Sequence, residues 1–134
     1  MSEFLTVECI EINDEKCLVD TLNEMGYQPE VYKEAKKLFG YQGDTRQKRA
    51  HVVISRKQIG SSSNDIGFEK QDKGYLMHIS DFDQKQNKFN QDDFKRLYNE
   101  KKITKELVTN KGFTLKSRKV ENDGTVRIQL SKLY

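Results

Sequence analysis

The sequence predicts an α+β domain, a largely antiparallel sheet with two or three helices on one face, most economically a ferredoxin-like elaboration. Three observations lead there. Short runs rich in β-branched and aromatic residues recur along the chain, bounded by turn residues. Two longer stretches carry apolar side chains at helical spacing between capping residues. Hairpin signals stand at Lys73-Gly74 and Asp123-Gly124.

Taken in order, "FLTVECIEI" (4–12) reads as the first strand. "NDEKCLVDTLNEMG" follows as a helix, capped by Asn13 or Asp14 and stopped at Gly26, with Cys17, Leu18, Leu22 and Met25 on one stripe facing the sheet. Pro29 restarts the chain in extended form. "EVYKEAKKLFGYQG" then reads as a weak strand, although its Glu, Ala, Lys and Leu content also suits a short helix. "RAHVVISRKQI" is the surest strand, centred on Val52, Val53 and Ile54, and "GSSSN" after it reads as a flexible connection with nothing to pack. Beyond the hairpin at 66–80, "FNQDDFKRLYNEKKITKELVTNKG" predicts two short helices or one kinked one. Asn90 is its cap, Asp92 and Asp93 suit its positive end, and Gly112 stops it. "FTLKSRKVENDGTVRIQL" closes the chain as a hairpin. No repeat interrupts this order, and 134 residues predict one domain over 1–134.

Hydrophobic residues make up 34% of the chain and charged residues another 34%, so the core is expected to be modest. Lys and Arg number 24 against 21 Asp and Glu; a net +3 permits nucleic-acid contact without implying it. Cys9 and Cys17 are expected to be structural thiols in a reducing compartment; a two-cysteine metal site would need further soft ligands, and the only histidines are His51 and His78. "MSEFLTVECIEI" has no basic n-region, and no run of 18 apolar residues occurs. These features predict a soluble protein of the cytoplasm, with no membrane association and no cofactor.

The densest chemistry lies in "NDIGFEKQDKGYLMHISDFD" (64–83). Folded about its turn, Ile66 and Phe68 share a face with Tyr75, Met77 and Ile79, and that face belongs to the core. The other face carries Asp65, Gly67, Glu69, Leu76, His78 and Ser80. His78, Glu69 and Asp65 are therefore the weak catalytic candidates, as an acid–base or metal cluster on open backbone at Gly67, acting on a phosphate ester or nucleotide. The same residues also make an ordinary solvated sheet face with a cross-strand His–Glu pair, worth about 0.2–1 kcal/mol, and the spacing favours that. A two-histidine phosphoesterase motif is damaged at both places: "HISD" has Asp81 where an apolar residue belongs, and "HVVI" has Val53 where a hydroxyl belongs. No phosphate loop or nucleophile elbow is present.

Basic side chains bracket the surest strand: Arg46, Lys48 and Arg49 before it, Arg56 and Lys57 after it. Lys116, Arg118 and Arg127 lie in the last hairpin. With Tyr41 and Phe113 near in sequence they could grip a phosphate backbone, although solvated loops carry such charges as well.

The order of "MSEF", "CLVDTLNEMGY", "GYQG", "AHVVI", "DIGF", Tyr75 with Asp81, "GF" at 112–113 and "DGTVRIQL" resembles one family over nearly the whole chain. It is the domain of unknown function numbered twelve-fifty-seven, which includes the plastid hypothetical reading frame thirty-five. Glu3 departs from the family's "MSHF" opening. The resemblance implies small proteins of intracellular setting and no assigned catalytic residues. The expectation is a non-enzymatic binding or accessory module acting through a protein partner or as a homo-oligomer. A nucleic-acid-binding module using loops 45–58 and the C-terminal hairpin is the alternative, and an enzyme centred on His78 ranks below both.

Overall fold

The computed structural model describes residues 3–132, with the side chains of residues 5 and 7–10 outside that description. In chain order the described residues form β1 (Phe4–Ile12), α1 (Glu15–Glu24), β2 (Glu30–Phe39), β3 (Thr45–Ile54), β4 (Ile66–Gln71), β5 (Gly74–Ser80), α2 (Asp81–Lys85), α3 (Gln91–Lys111), β6 (Phe113–Val120) and β7 (Val126–Lys132). A 3-10 turn at Arg56–Gln58 follows β3. Three α-helices with antiparallel sheets make an α+β fold. The chain divides into two compact units, Met1–Asn90 and Gln91–Tyr134.

In the first unit the sheet order is β1-β5-β4-β3-β2, each neighbour antiparallel. Four strands therefore run as a meander and β1 returns beside β5, rather than interleaving as a ferredoxin-like split β-α-β would. The β4–β5 hairpin has the expected parity: Phe68 faces Met77, Gln71 faces Gly74, and Asp72-Lys73 is the two-residue loop. Val52, Ile54, Ile66, Phe68, Met77 and Ile79 are all fully buried. Helix α1 is capped by Asp14, whose carboxylate accepts from the Cys17 amide at 2.9 Å, and buries Cys17, Leu18 and Leu22. Met25 stays partly exposed at the helix end, and the Cys9 thiol lies outside the described residues. Phe89 sits edge-on to Phe68 at 6.5 Å and stacks on Tyr27 at 5.8 Å.

The opposite sheet face is not solvated, contrary to the expectation from alternation alone. The β2–β3 ribbon pairs irregularly, with register shifts between Val31 and Lys36 and between Lys37 and Phe39. Such irregularities bend and twist a ribbon. Leu38, Ala50 and Val53 form a second small core, with Phe4 and Tyr32 packed against it. A Cβ placed on Gly67 would lie 2.5 Å from Ala50 Cβ and 2.9 Å from a Leu38 methyl. Gly67 is thus not open backbone beside a reactive cluster; its missing side chain is the space into which the ribbon fits. Segment 30–39 is a strand, not a helix, because pairing with β3 overrides its helix-forming lysines and glutamates.

The second unit is one helix and one hairpin. Helix α3 runs unbroken for 21 residues instead of as two pieces, since no Gly or Pro interrupts 91–111. Phe94 and Tyr98 are buried, their rings stacked at 6.1 Å. The β6–β7 turn closes through Glu121 N–H to the Thr125 carbonyl at 2.8 Å, with Gly124 at φ +87° where a side chain would be strained.

Candidate functional site

The sequence candidates on β4 and β5 part company. His78 on β5 faces Thr6 on β1, and its ring is almost wholly buried. Nε2 lies 2.7 Å from Glu69 Oε1 and Nδ1 lies 3.0 Å from Thr6 Oγ1. A carboxylate only accepts, so in the neutral ring Nε2 carries the proton and Nδ1 accepts from the threonine hydroxyl. Both nitrogens are engaged inside the fold. Asp65 is not with them. At the entry to β4, its Oδ2 accepts from the Phe39 amide at 2.8 Å and its Oδ1 from the Arg56 amide at 2.7 Å. Burial pushes its carboxyl above the usual range, against the pull of those two amides. His51 stands on β3, where Nδ1 accepts from the Lys70 amide at 2.9 Å. Among the described residues, no three His, Cys, Asp or Glu side chains gather as a metal site.

Sequence reasoning missed a densely connected carboxylate. Asp83, fully buried in α2, accepts from Ser63 Oγ at 2.5 Å, Ser80 Oγ at 2.7 Å and the Asn64 amide at 3.2 Å. Ser80 is the N-cap of that helix and accepts in turn from the Asp83 amide at 3.0 Å. Asn64 Oδ1 accepts from the Tyr41 amide at 2.8 Å. "GSSSN" is therefore an ordered strap, with Ser63 and Asn64 completely enclosed, rather than a flexible connection. The signal was present as the Ser-x-x-Asp spacing at 80–83, the pattern of a capping box.

Of the basic candidates, Arg56 belongs to the same strap. Its guanidinium donates to the carbonyls of Tyr41 at 2.6 Å, Ser61 at 3.0 Å and Ser63 at 3.1 Å. Arg46 pairs with Asp44 at 2.6 Å, whereas Lys48 and Arg49 are exposed on β3. In the second unit Arg118 is held by Glu100 at 3.0 Å and Arg127 by Glu121 at 3.1 Å, with Lys116 exposed on β6.

The ribbon's curl leaves a cleft of about 510 Å³ beside β2. Lys36, Lys37 and Lys57 stand on its rim; Tyr32, Phe39 and Arg56 also line it. Lys36 Nζ sits 4.8 Å above the Tyr32 ring, and the Tyr32 hydroxyl donates to Glu30. That hydrogen bond, helped by burial and by the negative charges of Glu30 and Asp65, pushes the phenol up to about 12. The charge around the cleft is segregated along the chain: residues 30–59 carry eight Lys and Arg against three Asp and Glu, residues 1–29 one against seven. The near-neutral total conceals this contrast. No helix among the described residues is long and apolar enough to cross a membrane.

No curated protein and no solved structure matches the chain. A family model, that of a protein of unknown function (DUF1257), matches residues 21–129. The matched span takes in the cleft, the strap and the β4–β5 hairpin, and the chain belongs to this DUF1257 family.

Proposed function

We propose that the protein is a binding module whose docking surface is the cleft beside β2, and that the partner it takes is anionic. The observation that carries this is the rim of Lys36, Lys37 and Lys57 around a concave surface, set in the most basic part of the first unit's chain. Arg56 also lines the cleft and adds its charge while its Nε and Nη2 donate to backbone carbonyls. An enzyme centred on His78 has less support, because Thr6 and Glu69 occupy both ring nitrogens and the ring is buried. The setting that accompanies this reading is intracellular, cytoplasmic or plastid stromal.

Titration with inorganic polyphosphate tests the reading. Binding should weaken as the logarithm of salt concentration rises, because each lysine contact releases a counterion. Lys36→Glu with Lys37→Glu should remove it. No binding at low ionic strength would rule the reading out.

A protein partner is the second reading. Strand β2 is a ten-residue edge with Val31 and Phe39 exposed, and an edge of that length can accept an added strand. Its lysines and two register shifts work against such pairing, and place this reading second. Light scattering of the purified protein, with hydrogen exchange at β2 on adding native lysate, decides it; unchanged exchange at β2 counts against strand addition.

A further inference from the structure

Resting on that anion-binding reading, we infer that the ligand is single-stranded nucleic acid, with a base stacked on Phe39 and its flanking phosphates on Lys36, Lys37 and Lys57. Phe39 is the observation that points beyond simple charge. Its neighbour Leu38 is fully buried, yet Phe39, the larger apolar ring, is 48% exposed at the cleft. The ring is presented from fixed backbone: the Phe39 amide donates to Asp65 Oδ2 at 2.8 Å and its carbonyl accepts from the Asp65 amide at 2.9 Å. An exposed aromatic on a rigid strand beside cations is the arrangement that grips unpaired bases, since every base has a π-face and every link a phosphate. Lys37 and Lys36 precede the ring by two and three residues of β2, within reach of a phosphate next to a stacked base.

Two features choose among anions. Glu30 and Asp65 also line the cleft, so phosphate is disfavoured beside those carboxylates and favoured at the lysines. A duplex keeps its base faces stacked on one another, and an acidic peptide offers carboxylates without a flat ring, so neither uses Phe39.

Fluorescence anisotropy with a short labelled oligonucleotide tests this on the full chain. The comparison ligands are the same strand annealed to its complement, base-free polyphosphate and polyglutamate, all at about 50 mM salt. The single strand should bind best. Phe39→Ala should weaken it about tenfold or more and leave polyphosphate binding unchanged, and Phe39→Trp should restore it. Because Phe39 is half exposed, the folded fraction of each variant is checked by its denaturant melt, and the tryptophan variant separates lost stacking from lost folding. Equal binding of the single strand and any comparison ligand, or an unaffected Phe39→Ala, overturns the inference and leaves anion binding standing. Absence of binding to every polyanion overturns both.

Discussion

His78 Nε2 and Glu69 Oε1 lie 2.7 Å apart across the β4–β5 hairpin, the histidine almost wholly buried and the glutamate's side chain partly exposed. The relationship is that of a buried donor held by an acceptor at the edge of solvent. Glu69→Ala should cost about 1–3 kcal/mol, because it strands the Nε2–H inside the fold. Glu69→Gln keeps an acceptor oxygen and should cost less than the alanine variant. Urea melts with unchanged m-values would measure both. Equal losses for the two would mean that the hydrogen bond is not what holds the ring.

Gly67 and Ala50 make a second coupled pair. Since a Cβ on Gly67 would come within 2.5 Å of Ala50 Cβ, Gly67→Ala should overpack the ribbon against β4 and cost about 1–3 kcal/mol. Adding Ala50→Gly should recover part of that loss, less the entropy of a new strand glycine. A double-mutant cycle with no coupling would show that the ribbon does not rest on Gly67.

How much of this was legible in the sequence depends on how far each partner lies. The core face of the hairpin at 66–80 could be read, since Ile66, Phe68, Met77 and Ile79 alternate on both strands and a two-residue loop keeps their parity. Helix α1 could be read from Asp14 and the stripe of Cys17, Leu18 and Leu22. The ribbon's curl could not. Leu38 is the one fully buried side chain of β2, and a single apolar residue among lysines has no periodicity to detect. The strap was misread because Ser63 finds its carboxylate 20 residues later, in a helix of only five residues. For the site, Arg56 and Lys57 were found from charge, whereas Lys36, Lys37 and Phe39 were not, since only the folded ribbon brings them to one cleft.

Asp83 should be the most sensitive polar position. Asp83→Ala leaves Ser63 Oγ, Ser80 Oγ and the Asn64 amide without their acceptor inside the fold, a loss of about 2–3 kcal/mol or more. The distinguishing readout is local. Amide exchange at Asn64 and Tyr41 should accelerate together, because Asn64 links the strap to Tyr41. Acceleration spread evenly over the whole first unit would indicate global destabilisation instead.

Tyr32 offers a test by titration. Its hydroxyl donates to Glu30, and chiefly for that reason its phenol ionises at about 12 rather than near the usual value of about 10. A folded-state value above the unfolded one means that the bond's contribution is fully present below about pH 10, and is lost as pH rises from about 10 to about 12. Phenolate absorbance should therefore show a tyrosine titrating near 12, and Glu30→Gln should move it back toward 10. The stability difference between the two proteins should stay constant through neutral pH and shrink across that alkaline window. Tyr27, raised by burial alone, should be unmoved by Glu30→Gln and serves as the internal control. An unchanged Tyr32 titration in the glutamine variant would mean that Glu30 does not hold the phenol, and that the cleft has a different arrangement in solution.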